Sequence, residues 1–103
     1  MREVTPAELF ELLATPGLIQ VIDVRDAHEA EARTIKGATN IPAHAVMGRL
    51  GELDRTRRIV VVSRSGHRSW KVSGQLESEG FDVWNLSGGL RAWVREIDPT
   101  LPI

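Results

Sequence analysis

Three serines, two arginines, a histidine and a glycine occupy seven consecutive positions: Ser63, Arg64, Ser65, Gly66, His67, Arg68 and Ser69. An apolar, β-branched run, Ile59 to Val62, leads into them, and a helix-like pattern beginning at about Arg68 leads out. A strand that empties into a polar loop and then a helix presents loop and first-turn N–H groups that lack intrahelical acceptors, and the helix dipole adds positive potential. Arg64 and Arg68 contribute two full charges. The chemistry this stretch suits is the recognition of an anion at the carboxyl end of a strand.

Other chemistries fit less well. Ser63 with His67 as base would need the imidazole within hydrogen-bond reach and a third group to orient it. Both residues lie on one tight loop whose geometry turns His67 outward, so a serine nucleophile of that kind is not expected. Cysteine is absent, which excludes disulfides and thiolate metal sites, and no ligand-spaced partners surround His28. No metal or other cofactor is expected. Each loop residue also has a structural reading: Gly66 supplies a positive-φ turn, Ser65 and Ser69 cap the backbone, and either arginine pairs with an acidic neighbour.

The elements that must position this loop follow from pattern. Arg2 to Val4 forms a short edge strand, and Thr5, Pro6 and Glu8 make a capping box with proline at the first helical position. Leu9, Phe10, Leu12 and Leu13 give that helix its buried side, and Pro16 and Gly17 end it. Leu18 to Val24 is an apolar run without alternation, as in a strand buried on both faces. A short helix spans Ala27 to Arg33, a short strand Ala38 to Ile41, and a further helix His44 to Leu53, with His44 exposed or at the mouth of the site. Arg57 to Val62 carries the loop. Trp70, Val72 and Leu76 supply apolar contacts on the next helix, which Gly80 ends. Phe81 to Leu86 is a strand, Ser87 to Gly89 a turn, and Leu90, Trp93, Val94 and Ile97 form one helical stripe. Asp98 to Ile103 is a terminal tail packed extended over the surface. This alternation predicts an α/β fold with a parallel sheet covered on both faces.

The chain has 103 residues, the size of one domain, here residues 1–103. A net charge of −1 and no basic run longer than Arg57 and Arg58 give no reason to expect nucleic acid as a partner. No apolar stretch approaches a membrane span and no secretory pattern opens the chain, so a cytoplasmic protein without a membrane partner is expected. Met1 and the compact length argue against a purely structural domain cut from a larger protein.

The loop resembles the active-site loop of the rhodanese (thiosulfate sulfurtransferase) family, in which a cysteine, four further residues and a basic residue form a cradle. VIDVRDAHEAEARTIKGATNIP, from Val21 to Pro42, resembles the family's first conserved stretch, and LSGGLRAW, from Leu86 to Trp93, its last. The resemblance implies an open parallel five-stranded sheet with the loop-bearing strand near its centre. It places Ser63 at the position of the catalytic cysteine and Arg64, Ser65, Gly66, His67, Arg68 and Ser69 around the substrate. It also makes Asp23 and Arg25 a supporting pair at the strand end, and Glu29 a hydrogen-bonding group within the fold. Thr34 stands where the family often has histidine, and Ala30 where an aromatic residue is common. The spacing from Ser63 to Arg68 is one residue shorter than in related phosphatases.

In that family a thiolate takes the outer sulfur of a donor such as thiosulfate, holds it as a persulfide and passes it to a thiophilic acceptor. Loop N–H groups, a helix N-terminus and two arginines favour the thiolate and its anionic persulfide. A serine hydroxyl meets the same field but has no comparable route to a stable sulfur adduct. The chain is therefore expected to be inactive by the usual mechanism. Two readings stay open: a sulfurtransferase scaffold whose nucleophile has been replaced, with a small anionic sulfur donor or a sulfur-relay protein as partner, or a natural non-catalytic homologue that binds an anion or a protein.

Overall fold

The computed structural model describes residues 2–103. Five parallel strands form one sheet in the order β1-β5-β4-β2-β3: β1 (Arg2–Val4), β2 (Ile19–Asp23), β3 (Thr39–Asn40), β4 (Arg58–Val62) and β5 (Val83–Leu86). Helices α1 (Pro6–Leu13), α2 (Ala27–Ala32), α3 (His67–Ser78) and α4 (Gly89–Glu96) alternate with them, as the sequence pattern predicts. The loop-bearing β4 is central. It registers Val60 against Val21 of β2 on one side and against Trp84 of β5 on the other.

Side chains of β4 alternate between two cores, which explains its unbroken apolar run. Val60 and Val62 pack with Leu9 of α1, Leu90 and Trp93 of α4, and Leu101. Ile59 and Val61 pack with Val72 and Leu76 of α3 and with Val46. All four valines and isoleucines of β4 are fully buried, each stabilising the fold by roughly 1.5–3 kcal/mol relative to exposure. The capping box opens α1 as expected: the Glu8 N–H donates to Thr5 Oγ1 at 3.1 Å and the Thr5 N–H to Glu8 Oε1 at 2.9 Å.

Four local expectations are corrected. In place of one helix from His44 to Leu53 there are two 3-10 turns, Ala43–Gly48 and Leu50–Glu52. Gly48 and Gly51 disfavour continued α-helix, and Val46 is the only buried residue of the two turns, so too little apolar surface is gained to impose it. Phe10 is 58% exposed, because the buried stripe of α1 runs through Leu9, Leu12 and Leu13 and Phe10 lies about 100° away from Leu9. Trp70 is 48% exposed for the same reason: α3 buries Ser69, Val72, Ser73 and Leu76. The terminal tail is anchored, with Leu101 inserted into the α1/α4 core.

Candidate functional site

Ser63 follows β4 directly, at the carboxyl edge of the sheet, and is 1% exposed. Its Oγ accepts the N–H of Gly66 at 3.2 Å and the N–H of Ser69 at 3.2 Å. It also lies 2.9 Å from Ser69 Oγ. Both lone pairs of the hydroxyl are thus occupied, so its proton is the one that goes to Ser69 Oγ. The loop can close this tightly because Gly66 takes φ +97°, a left-handed conformation that a side chain disfavours, and α3 begins at the next residue. Ser73 Oγ donates to the Ser69 carbonyl at 2.7 Å, so the serines on the buried side of α3 satisfy one another. The result is a pocket of converging donors around one atom at a helix N-terminus.

A second helix braces the loop from outside. The Leu90 N–H of α4 donates to the Ser63 carbonyl at 2.8 Å, and the Arg91 N–H donates to the Arg64 carbonyl at 3.0 Å. This approach requires Gly89: a Cβ there would lie 2.6 Å from both carbonyl oxygens. Asn85 of β5 is buried and donates through Nδ2 to the Gly66 carbonyl at 3.3 Å. The sequence pattern puts Asn85 in a strand and Gly88 and Gly89 in a turn, within or beside the stretch that resembles a family segment, without assigning any of them to the support of the loop. The signal was available in Gly88-Gly89, since adjacent glycines ahead of a helix mark close backbone approach as readily as a turn.

Among the described residues no charged side chain hydrogen-bonds Ser63 Oγ. Arg64 and Arg68 are exposed, and Arg64 makes no ion pair among the described residues. Arg68 reaches back to Glu29 Oε1 at 3.4 Å. Burial opposes ionisation of Glu29, but the Asp26 N–H, the Arg68 guanidinium and, more weakly, Arg25 outweigh it and hold the carboxyl below its usual range. His67 is exposed, with Nδ1 3.3 Å from Ser65 Oγ rather than from Ser63. Ser65, Gly66, His67 and Trp70 line a cavity of 380 Å³ on the β5 side of the loop. Ser69 is fully buried beneath Ser63 and acts on it from inside the protein.

Asp23 and Arg25, at the end of the neighbouring β2, form a buried ion pair of 2.8 Å. Arg25 Nε also donates to both Asp23 carboxylate oxygens at 3.1 Å, and its Nη2 to the Arg33 carbonyl at 2.7 Å. Thr34 Oγ1 completes the cluster by donating to Asp23 Oδ2 at 2.6 Å. Among the described residues no cluster of His, Asp and Glu is placed to hold a metal ion, and no helix is long and apolar enough to cross a membrane.

Comparison with known proteins agrees with this geometry. The sequence model for the Rhodanese-like domain matches residues 5–96. A sulfurtransferase of Allochromatium vinosum is 31% identical over 96 residues, covering 92% of this chain and 90% of that protein. The thiosulfate sulfurtransferase GlpE of Shewanella oneidensis is 34% identical over 76 residues, 73% of this chain and 75% of GlpE. The crystal structure of a rhodanese-like domain protein from Staphylococcus aureus superposes with a TM-score of 0.87 at 32% identity, covering 100% of this chain and 98% of that one. A parallel five-stranded sheet, a loop of converging N–H donors at the end of its central strand and these likenesses together establish that the chain belongs to the rhodanese-like domain family, as a member that contains no cysteine.

Proposed function

We propose that this chain is a rhodanese-type sulfurtransferase scaffold held inactive by one atom, with Ser63 at the position of the nucleophilic cysteine and thiosulfate or a persulfide as the sulfur donor class. The observation that carries the reading is the pair of N–H donors, from Gly66 and Ser69, aimed at Ser63 Oγ at 3.2 Å each. Two backbone donors at a helix N-terminus stabilise an anionic atom there, and a hydroxyl at neutral pH supplies none. The arrangement suits a thiolate. Arg64 and Arg68 raise the local potential for an anionic donor, while Ser65, Gly66 and His67 shape the loop around it.

With a thiolate at this position, attack on the outer sulfur of thiosulfate forms a sulfur–sulfur bond to the protein and breaks the bond to the sulfonate sulfur, so sulfite leaves with the electron pair. Attack of a nucleophile such as cyanide on the terminal persulfide sulfur then forms thiocyanate and returns the thiolate. Ser63 can perform neither step, since an alcohol hydroxyl ionises far less readily than a thiol and its oxygen forms no comparably stable adduct with sulfur. Thiocyanate formation from thiosulfate and cyanide is therefore expected to be absent in the chain as it stands and to appear in Ser63→Cys. Silence of a folded Ser63→Cys variant would overturn the reading. It would favour the alternative, a non-catalytic module that binds an anion or a protein, with which the fully satisfied and buried hydroxyl of Ser63 is also compatible.

A further inference from the structure

The side of α3 away from the Trp70 cavity borders a second depression, of 320 Å³, between α3 and the Ala43–Gly48 turn. Its floor is apolar, formed by Ala43 and Val72. Its rim carries His44 on the turn and Arg68, Lys71 and Gln75 on the helix. Neither the turn, residues 43–48, nor the loop and helix from residue 63 to 76 contains an aspartate or glutamate, although the chain has 14 of them against 13 lysines and arginines. The same segments hold Arg64, Arg68, Lys71, His44 and His67. Arg68 and Lys71 thus put two positive charges on the helix edge of this groove, whose lining contains no carboxylate. Glu29 is the carboxylate that meets this edge, and it engages Arg68 only at 3.4 Å, with the Arg68 side chain 41% exposed.

We infer that this groove docks an acidic segment of a protein partner, beside the loop that the proposed function concerns. Arg68 and Lys71 are three residues apart on α3 and so lie one above the other on the same helix face. His44 faces them across the groove. Two cations on the helix bank of an apolar channel, with a hydrogen-bonding imidazole on the other bank, match carboxylates spaced along a peptide, whose methylenes rest on Ala43 and Val72, better than they match a single small anion. Two full charges, those of Arg68 and Lys71, are also few for a nucleic-acid backbone. The inference rests on the proposed function only for the identity of the neighbouring loop, since no sulfur chemistry is needed for docking.

The test is a titration of the chain with Ser63 intact, using a capped octapeptide of alternating glutamate and glycine, read by amide shifts in heteronuclear NMR. Shifts are expected at Ala43 to Met47 and at Lys71 to Gln75, and they should weaken as salt is raised. Lys71→Glu should weaken binding about tenfold and Lys71→Gln less, whereas Arg95→Glu, an exposed change on α4, should leave it unaltered. Shifts confined to residues 63–69, equal effects from inorganic sulfate at matched charge, preference for a single-stranded oligonucleotide, or indifference to Lys71→Glu would each overturn the inference. Because thiocyanate formation by Ser63→Cys uses only small molecules, that assay and this titration fail independently.

Discussion

The ends of β2 and β4 lie side by side, with Asp23 registered on Val62 and the Val24 N–H donating to the Val62 carbonyl at 2.9 Å, yet they bury polarity in opposite ways. At the end of β2 two full charges, Asp23 and Arg25, are removed from water and spent on each other, with Thr34 and the Arg33 carbonyl filling the remaining sites. At the end of β4 nothing buried is charged: backbone N–H groups and hydroxyls converge on Ser63 Oγ while Arg64 and Arg68 point outward. A buried pair that neutralises itself keeps little field for a ligand, and Arg25 makes only the weakest of the contributions that lower the Glu29 pKa. A cradle of donors around a neutral atom keeps its electrostatic potential available. The contrast separates a region that holds the sheet edge together from one able to stabilise an arriving or resident negative charge.

The contrast is easiest to break at Asp23. Asp23→Ala would leave the Arg25 guanidinium buried with no counter-charge, and loss of one partner from a buried pair costs about 3–5 kcal/mol. Urea unfolding of this variant should show that loss. A shift well below it would mean that Arg25 swings out to solvent and that the pair does not anchor the sheet edge. Ser69→Ala is expected to cost less, about 1–3 kcal/mol, because it removes one neutral hydrogen bond and leaves the buried Ser63 hydroxyl without that partner. Were Ser69→Ala as damaging as Asp23→Ala in the same urea assay, the loop would be a structural cluster like its neighbour, and the comparison would collapse.

Much of this was legible in the sequence because local rules and global fold agree over most of the chain. Thr5, Pro6 and Glu8 write a helix start that no tertiary contact overrides. Ile59 to Val62 reads as a doubly buried strand because both cores need it. Legibility ended where burial does not follow residue type. Trp70, Phe10 and Met47 are large and apolar yet exposed, whereas Ser69 and Ser73 are small and polar yet fully buried. What buries a serine is the identity of its partner, here Ser63 Oγ and the Ser69 carbonyl, and such partners come together only once α3 is docked. The same holds for Thr34. Its residue type departs from the family's common histidine, but its hydroxyl reaches Asp23 at 2.6 Å and fills a place in the cluster. The brace from α4 to the loop links residues that the sequence separates by a strand and a helix, so no local pattern could announce it.

Glu29 joins the two regions and supplies the smallest and most discriminating effect. Its carboxylate accepts the Asp26 N–H at 3.2 Å on the β2 side and meets Arg68 at 3.4 Å on the β4 side. With its pKa held below the model-peptide value of 4.5 in the folded chain, the folded state binds fewer protons there than the unfolded state. The stabilisation is therefore fully present above about pH 4.5 and is lost as the pH falls through the lowered folded value. Unfolding midpoints measured against pH should run parallel for the native chain and Glu29→Gln above that point and draw together below it. The Arg68 contact lies partly in solvent, so molar salt should remove its share while sparing the hydrogen bond from Asp26. If salt erased the whole difference, Glu29 would belong to the loop's charge system; if salt changed nothing, it would belong with Asp23 and Arg25 to the framework beneath, and Arg68 would stand free for an incoming anion.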